Sequence, residues 1–255
     1  MIKHHSLIRG AAKKDMDIIA IGGGSLKKGE TFAIDRYIVK LTGKRSPRAL
    51  FIPTASIDPQ DYCEVFDHIY GDLLRCRTDH LLLYRRPGDR AAATRKIKSA
   101  DLIYVGGGNT LRMMKLWRRL GIDKLLIDAG QRGTVLAGLS AGAICWHEWG
   151  HSDSRAYSGK KDWDYIKVRS LGIRPGLYCP HLDSEKRYAS FRKMVVWDKM
   201  IGIACDNFAA IHYDNSDATC ITSRRKARVH IYKYVDGKIT IKHFKNGEKI
   251  ELATQ

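Results

Sequence analysis

The chain lacks any apolar run near the roughly 18 residues that a membrane-spanning helix requires, so no membrane partner is expected. It also lacks a C-x-x-C pair. Its six cysteines, Cys63, Cys76, Cys145, Cys179, Cys205 and Cys220, fall mostly in apolar stretches. That usage fits reduced, cytoplasmic thiols acting as small hydrophobes. The first fourteen residues are basic but have no apolar core, so they do not read as a secretory signal; residues 1–15 are expected to form a flexible basic arm. Acidic residues are scarce, with 27 Asp and Glu against 45 Lys and Arg, a formal charge of +18. Such a field attracts acidic ligands or nucleic acid, or simply marks a well-solvated surface. No nucleic-acid module accompanies it. The cations are dispersed in pairs such as Arg85-Arg86, Arg118-Arg119 and Arg224-Arg225 rather than gathered on one helix. Nucleic acid is therefore not the expected partner. Internal repeats, low-complexity tracts and linkers are absent too, which leaves one domain over residues 16–255.

What is present is the composition of an ordinary globular protein, 44% apolar and 28% charged over 255 residues, enough for one large α/β core. Five short apolar runs recur at residues 17–21, 48–52, 80–84, 102–105 and 134–137. Several stop at glycine or proline: Gly22-Gly23-Gly24, Pro53 and Gly106-Gly107-Gly108. Segments of helical length separate them, at residues 31–42, 62–74, 90–98, 111–120 and 124–129. Continuous apolar strands alternating with helices predict a mostly parallel sheet covered on both faces, with ligands bound beyond the strands' carboxyl ends. Near the C-terminus, alternating runs at 229–235 and 238–242 flank Asp236-Gly237, a hairpin signal expected to add antiparallel strands to one edge.

The fifth run leads into Gly138-Leu139-Ser140-Ala141-Gly142, the pattern of a nucleophile elbow. The turn is so tight that its neighbours must be small, and it exposes the serine hydroxyl at a strand end. The Ala141 N–H would then face a developing oxyanion. A base is required, and His181 in Cys179-Pro180-His181-Leu182-Asp183 is the choice among ten histidines because proline marks a strand end there. Asp206 and Asn207, ending the apolar run 203–205, are candidates to orient it; the alternative for them is a polar turn. Gly106-Gly107-Gly108-Asn109-Thr110 departs from the dinucleotide fingerprint, having Leu111 at the sixth position, and has no P-loop lysine. A second oxyanion donor is its better use, and a plain strand-to-helix turn the other. His147-Glu148-Trp149-Gly150-His151 matches H-E-x-x-H, but Gly150 disfavours a helical turn by about 1 kcal/mol. The pattern is expected at the end of the helix after Ser140, and a downstream third ligand is missing, so no metal is assigned.

With Ile52-Pro53-Thr54-Ala55-Ser56, Tyr104-Val105-Gly106-Gly107-Gly108-Asn109-Thr110, Gly138-Leu139-Ser140-Ala141-Gly142-Ala143 and Cys179-Pro180-His181-Leu182-Asp183 in this order, the chain resembles the S51 serine peptidases. That family comprises dipeptidase E (aspartyl dipeptidase) and cyanophycinase, and the resemblance runs from about Ile18 to Ile221. It implies a class I glutamine-amidotransferase-like three-layer α/β sandwich. Ser140 matches the nucleophile, His181 the base, and Gly108 and Ala141 the oxyanion donors. One departure stands out: Asp206-Asn207 replaces the family's usual acidic pair, so Asn207 would orient His181 with Asp206 as substitute. The resemblance implies hydrolysis of short peptides, with an acidic N-terminal residue, through an acyl-enzyme. Asn109 and Arg187 are candidate substrate contacts; for Arg187 the competing reading is a solvated surface arginine. No cofactor is expected, the partner is a small peptide, and a homodimer is left open. A cyanophycinase-like isopeptide hydrolase or amidase, and a catalytically weak binder of an acidic ligand, are the alternatives.

Overall fold

Alternation along the strands sorts the apolar residues onto two faces. In the computed structural model, which describes residues 16–85, 89–159, 161–184, 187–214 and 217–252, the central strands are β1 (Asp17–Ile21), β2 (Arg48–Ile52), β4 (Leu102–Val105) and β5 (Val135–Leu139), with β3 (Arg77–His80) at the edge. They run parallel in the order β1-β5-β4-β2-β3. Ile19, Ile21, Phe51, Tyr104 and Leu139 point to one face and pack on α1 (Phe32–Leu41) and α2 (Gln60–Phe66), which continues as a π-helical segment, Asp67–Leu73. Ile18, Leu50, Ile52, Ile103, Val105 and Leu136 point to the other, against α3 (Arg90–Ser99), α4 (Thr110–Leu120) and α5 (Ile122–Gln131). Both faces are buried, as expected for parallel strands with continuous apolar sequences.

After β5 comes α6 (Ala141–Ile144), a single turn, and then strand β6 (His147–Ser152). The expected long helix after Ser140 is therefore absent, and the H-E-x-x-H residues lie on a strand. A second, six-stranded sheet follows, ordered β13-β12-β9-β8-β6-β7. Its strands are β7 (Ile166–Arg169), β8 (Arg174–Cys179), β9 (Gly202–Cys205), β12 (Val229–Val235) and β13 (Lys238–Phe244), with β6. Val168, Tyr178, Ile203, Val229 and Ile231 join the core behind the first sheet. Leu177, Cys179, Ala204 and Tyr232 face outward onto Phe191 and Val195 of α7 (Arg187–Asp198). The hairpin turns at Asp236-Gly237, but it extends this second sheet and not the first. The first sheet is completed by antiparallel β10 (Ala209–Asp214), β11 (Asp217–Thr222) and β14 (Lys249–Ile250), giving eight strands. The arm at 1–15 lies outside the described residues.

One strand is displaced from its expected position. Residues 81–83 do not form the third strand; the polar segment Arg77–His80 does, in register with β2. At a sheet edge a polar strand is tolerated because one side meets water. Leu81 and Leu83 are buried instead as a loop on the core behind the sheet.

Candidate active site

The site forms where three strands end. Ser140 directly follows β5 at φ 56°, ψ −111°, a conformation that L-residues hold only when their surroundings over-determine it. Those surroundings are close-packed: a Cβ at Gly138 would overlap the Gly142 carbonyl, and one at Gly142 the Val105 carbonyl. The Ser140 N–H donates to the Ile21 carbonyl at the end of β1, 3.0 Å away. The serine is thus clamped between β1 and β4 and is half-buried as a residue.

His181 lies just beyond β8, also with positive φ (52°), and Asn207 just beyond β9. These strands are parallel neighbours, so their carboxyl ends present the two side chains at the same edge. Ser140 Oγ is 2.9 Å from His181 Nε2, and His181 Nδ1 is 2.7 Å from Asn207 Oδ1. Asn207 continues the chain of contacts. Its Nδ2 donates to Asp183 Oδ1 at 3.2 Å and to Ser184 Oγ at 2.9 Å, and its backbone N–H donates to Asp183 Oδ1 at 2.9 Å. With both amide hydrogens engaged there, Oδ1 must face the ring and accept from Nδ1–H. Nε2 is then the bare nitrogen and accepts the hydrogen bond from the serine hydroxyl, the tautomer that a general base needs.

Gly23, beyond β1, forms the floor: a Cβ there would overlap both Asn207 Oδ1 and His181 Nδ1. Its carbonyl accepts from the Phe208 N–H at 2.9 Å, which ties the loop carrying Asn207 to the first sheet.

Two N–H groups near the serine lack an acceptor among the described residues. A Cβ on Gly107 would sit 3.5 Å from that of Ser140, so the loop after β4 lies directly beside the elbow. Neither Gly108 N nor Ala141 N has an acceptor among the described residues. The Gly107–Gly108 peptide is pinned from behind, because Ser56 Oγ donates to the Gly107 carbonyl at 2.5 Å. A hydrogen bond to a peptide carbonyl polarises the N–H of the same peptide, here that of Gly108.

The other sequence candidates lie elsewhere. Asp206 turns away from His181: its carboxylate accepts from His230 Nε2 at 2.9 Å and from the Arg228 N–H at 2.9 Å. Among the described residues it makes no hydrogen bond to His181, because consecutive residues leaving a strand point to opposite sides. Asn109 is committed to the fold, capping α4 through Arg112 N (2.9 Å) and donating to the Ser154 carbonyl (3.1 Å). Arg187 is neither solvated nor a free substrate contact. It is 1% exposed, donates to the His151 carbonyl, pairs with Asp153 at 3.1 Å and covers the Tyr165 ring. The two histidines of the H-E-x-x-H pattern are also internal. His147 contacts Tyr213 Oη (2.7 Å) and His151 contacts Ser190 Oγ (3.0 Å), and burial pushes both imidazoles down to about 3.

Sequence reasoning missed Asp183, Ser184, Ser56 and Gly23. Of these, Ser56 and Asp183 lay inside quoted motifs, as polar residues placed next to a strand end, and Gly23 marked the stop of β1.

The description "Peptidase family S51" matches residues 18–221. The uncharacterized peptidase YgaJ of Bacillus subtilis (strain 168) is 36% identical over 217 residues, covering 84% of this chain and 90% of that protein. Peptidase E of Salmonella gallinarum is 36% identical over 104 residues, only 41% of this chain and 42% of its own length. Among solved structures, a peptidase from an acI-B1 Actinobacterium superposes with a TM-score of 0.72 at 20% identity, covering 94% and 98% of the two chains. The family match and these relatives make the chain a peptidase, a hydrolase of peptide bonds. The chain belongs to peptidase family S51.

Proposed function

We propose that the protein is a serine-type exopeptidase of the dipeptidase E kind, cleaving short peptides through an acyl-enzyme on Ser140. The observation that carries this reading is the continuous contact from Ser140 Oγ through His181 to Asn207 Oδ1, at 2.9 and 2.7 Å. Ser140 Oγ attacks the scissile carbonyl while His181 Nε2 takes its proton. The N–H groups of Gly108 and Ala141 hold the oxyanion, and the imidazolium returns the proton to the departing amine. Water, deprotonated by His181, then releases the acid product. Cytoplasmic residence, one hydrolase domain over residues 16–255 and a class I glutamine-amidotransferase-like layout belong to the same proposal. Among the described residues no helix is long and apolar enough to cross a membrane.

A panel of Asp-X, Glu-X and β-aspartyl peptides tests substrate class. Preferential hydrolysis of acidic dipeptides, lost in Ser140→Ala and indifferent to chelator, is expected. Cleavage confined to β-aspartyl bonds would redirect the reading to an isopeptide hydrolase, and full activity in Ser140→Ala would refute it.

A further inference from the structure

We infer that Asp183 supplies the charge of the relay, as a positioning residue acting on His181 through the Asn207 amide; this rests on Ser140 being the nucleophile. An amide is nearly symmetric in shape, so by itself Asn207 could face the imidazole either way round. With Oδ1 toward the ring, Nδ1 carries the proton and Nε2 is free to take one from Ser140. With Nδ2 toward the ring, Nδ1 must be bare, the proton sits on Nε2, and Ser140 has no base.

The choice is made at the far end of the amide. A carboxylate only accepts hydrogen bonds. Asp183 Oδ1 takes the Asn207 backbone N–H at 2.9 Å and Nδ2 at 3.2 Å. Flipping the amide would set Oδ1 against that oxygen, acceptor against acceptor, and leave the carboxylate only the backbone N–H. Asp183 therefore fixes the amide, and the amide fixes the tautomer. The same carboxylate is linked through the amide to the imidazolium that forms during acylation, one residue further out than a direct partner would be. The charge passes through a polarised amide rather than a direct contact.

Among the described residues, two other acids are engaged elsewhere. Asp206 is held by His230 and the Arg228 N–H, and His230 in turn meets His243. Glu30 accepts from Ser25 N and pairs with Arg224. Gly23 lies against the relay as well, close to both Asn207 Oδ1 and His181 Nδ1. Asn207 is thus not a weakened acid; it is the middle member of a four-residue chain, Ser140–His181–Asn207–Asp183.

A charge swap separates this from a merely structural role. Asp183→Asn keeps the shape and removes the charge, and should lower kcat/KM by at least about tenfold, since correct tautomer and charge support are both at stake. Asn207→Asp alone should bring no gain, because two adjacent carboxylates cannot both ionise freely; its acid limb should move to higher pH. The double variant Asp183→Asn/Asn207→Asp moves the charge inward and should recover activity to within about threefold of the parent, far above the product of the two single effects. A tenfold gain in Asn207→Asp alone, or a double variant no better than that product, would overturn the inference. Nitrogen-15 NMR of the His181 ring gives an arm that needs no substrate. The parent should carry the neutral-state proton on Nδ1, and Asp183→Asn should show both tautomers, because two facing amides can flip together. An unchanged Nδ1–H population in that variant would overturn the role of Asp183. Because that readout is independent of turnover, it stands even if the peptidase reading itself fails.

Discussion

Replacing Gly23 by alanine should disable the relay without altering any of its members. The new methyl group would occupy the space now held by Asn207 Oδ1 and His181 Nδ1. Non-bonded carbon and polar atoms approach to about 3.3 Å at closest, so relieving the overlap demands a displacement on the order of 1 Å. The backbone cannot yield much, because Gly23 O accepts from Phe208 N and Gly22 N donates to Ala209 O, 2.9 and 2.8 Å away. The displacement must fall on the histidine and the asparagine. A misplacement of about 1 Å in a catalytic group costs on the order of 10²-fold in rate, while overpacking of this size costs about 1–3 kcal/mol of stability. Steady-state kinetics on the best peptide of the panel, together with a thermal melt, measures both. The expected result is a fall in kcat of about 100-fold in a protein that still melts cooperatively. A Gly23→Ala enzyme with kcat within threefold of the parent would show that His181 and Asn207 do not need the geometry described.

Three further outcomes are expected. Ser56→Ala frees the Gly107 carbonyl and should lower kcat by roughly tenfold or more with KM little changed, since only transition-state charge is affected; an equal rise in KM would place Ser56 in substrate binding instead. Arg187→Ala leaves Asp153 without its 3.1 Å partner and empties a buried site, so stability should fall by about 3–5 kcal/mol. A selective loss of affinity for acidic peptides at unchanged melting temperature would restore Arg187 as a substrate contact. Asp35 is enclosed between Thr31 and Tyr70, and burial pushes its carboxyl up to about 7. In the folded state it holds its proton longer than in the unfolded chain, so this group's contribution is full below about pH 4 and is lost as pH rises to about 7. Asp35→Asn should remove a few kcal/mol of that decline in denaturant titrations between pH 4 and 8; an unchanged slope would mean that Asp35 does not titrate in this window.

Strands β1, β2, β4 and β5 of the first sheet were legible because parallel strands buried on both faces leave continuous apolar runs, and glycine or proline follows β1, β2 and β4. The elbow was legible for a similar reason: steric crowding at Gly138 and Gly142 leaves a small-residue signature that few other turns require. The second sheet was harder to see. Residues 147–152 place two histidines four apart, which suits one face of a helix and equally one face of a strand. The packing of Tyr178 and Tyr213 against His147 decides for the strand. The third strand was misplaced because its apolar neighbours Leu81 and Leu83 bury themselves as loop, while the edge strand itself is polar. Arg187 was read as a surface or substrate group because its partners, His151 and Asp153, lie more than thirty positions away and no local pattern announces them. Asp206 and Asn207 are adjacent in sequence, and only the family resemblance favoured Asn207 there. The direction each side chain takes on leaving β9 brings Asn207 to His181 and Asp206 to His230.

The central claim is that Ser140 is a nucleophile armed by His181. The direct measurement is intact-protein mass spectrometry after exposure to a serine-reactive fluorophosphonate, with the modified peptide sequenced. One adduct is expected, on Ser140, slowed by at least about 100-fold in His181→Ala and unaffected by chelator. An unmodified Ser140 in a protein that hydrolyses peptides, or equal labelling of the His181→Ala variant, would contradict it.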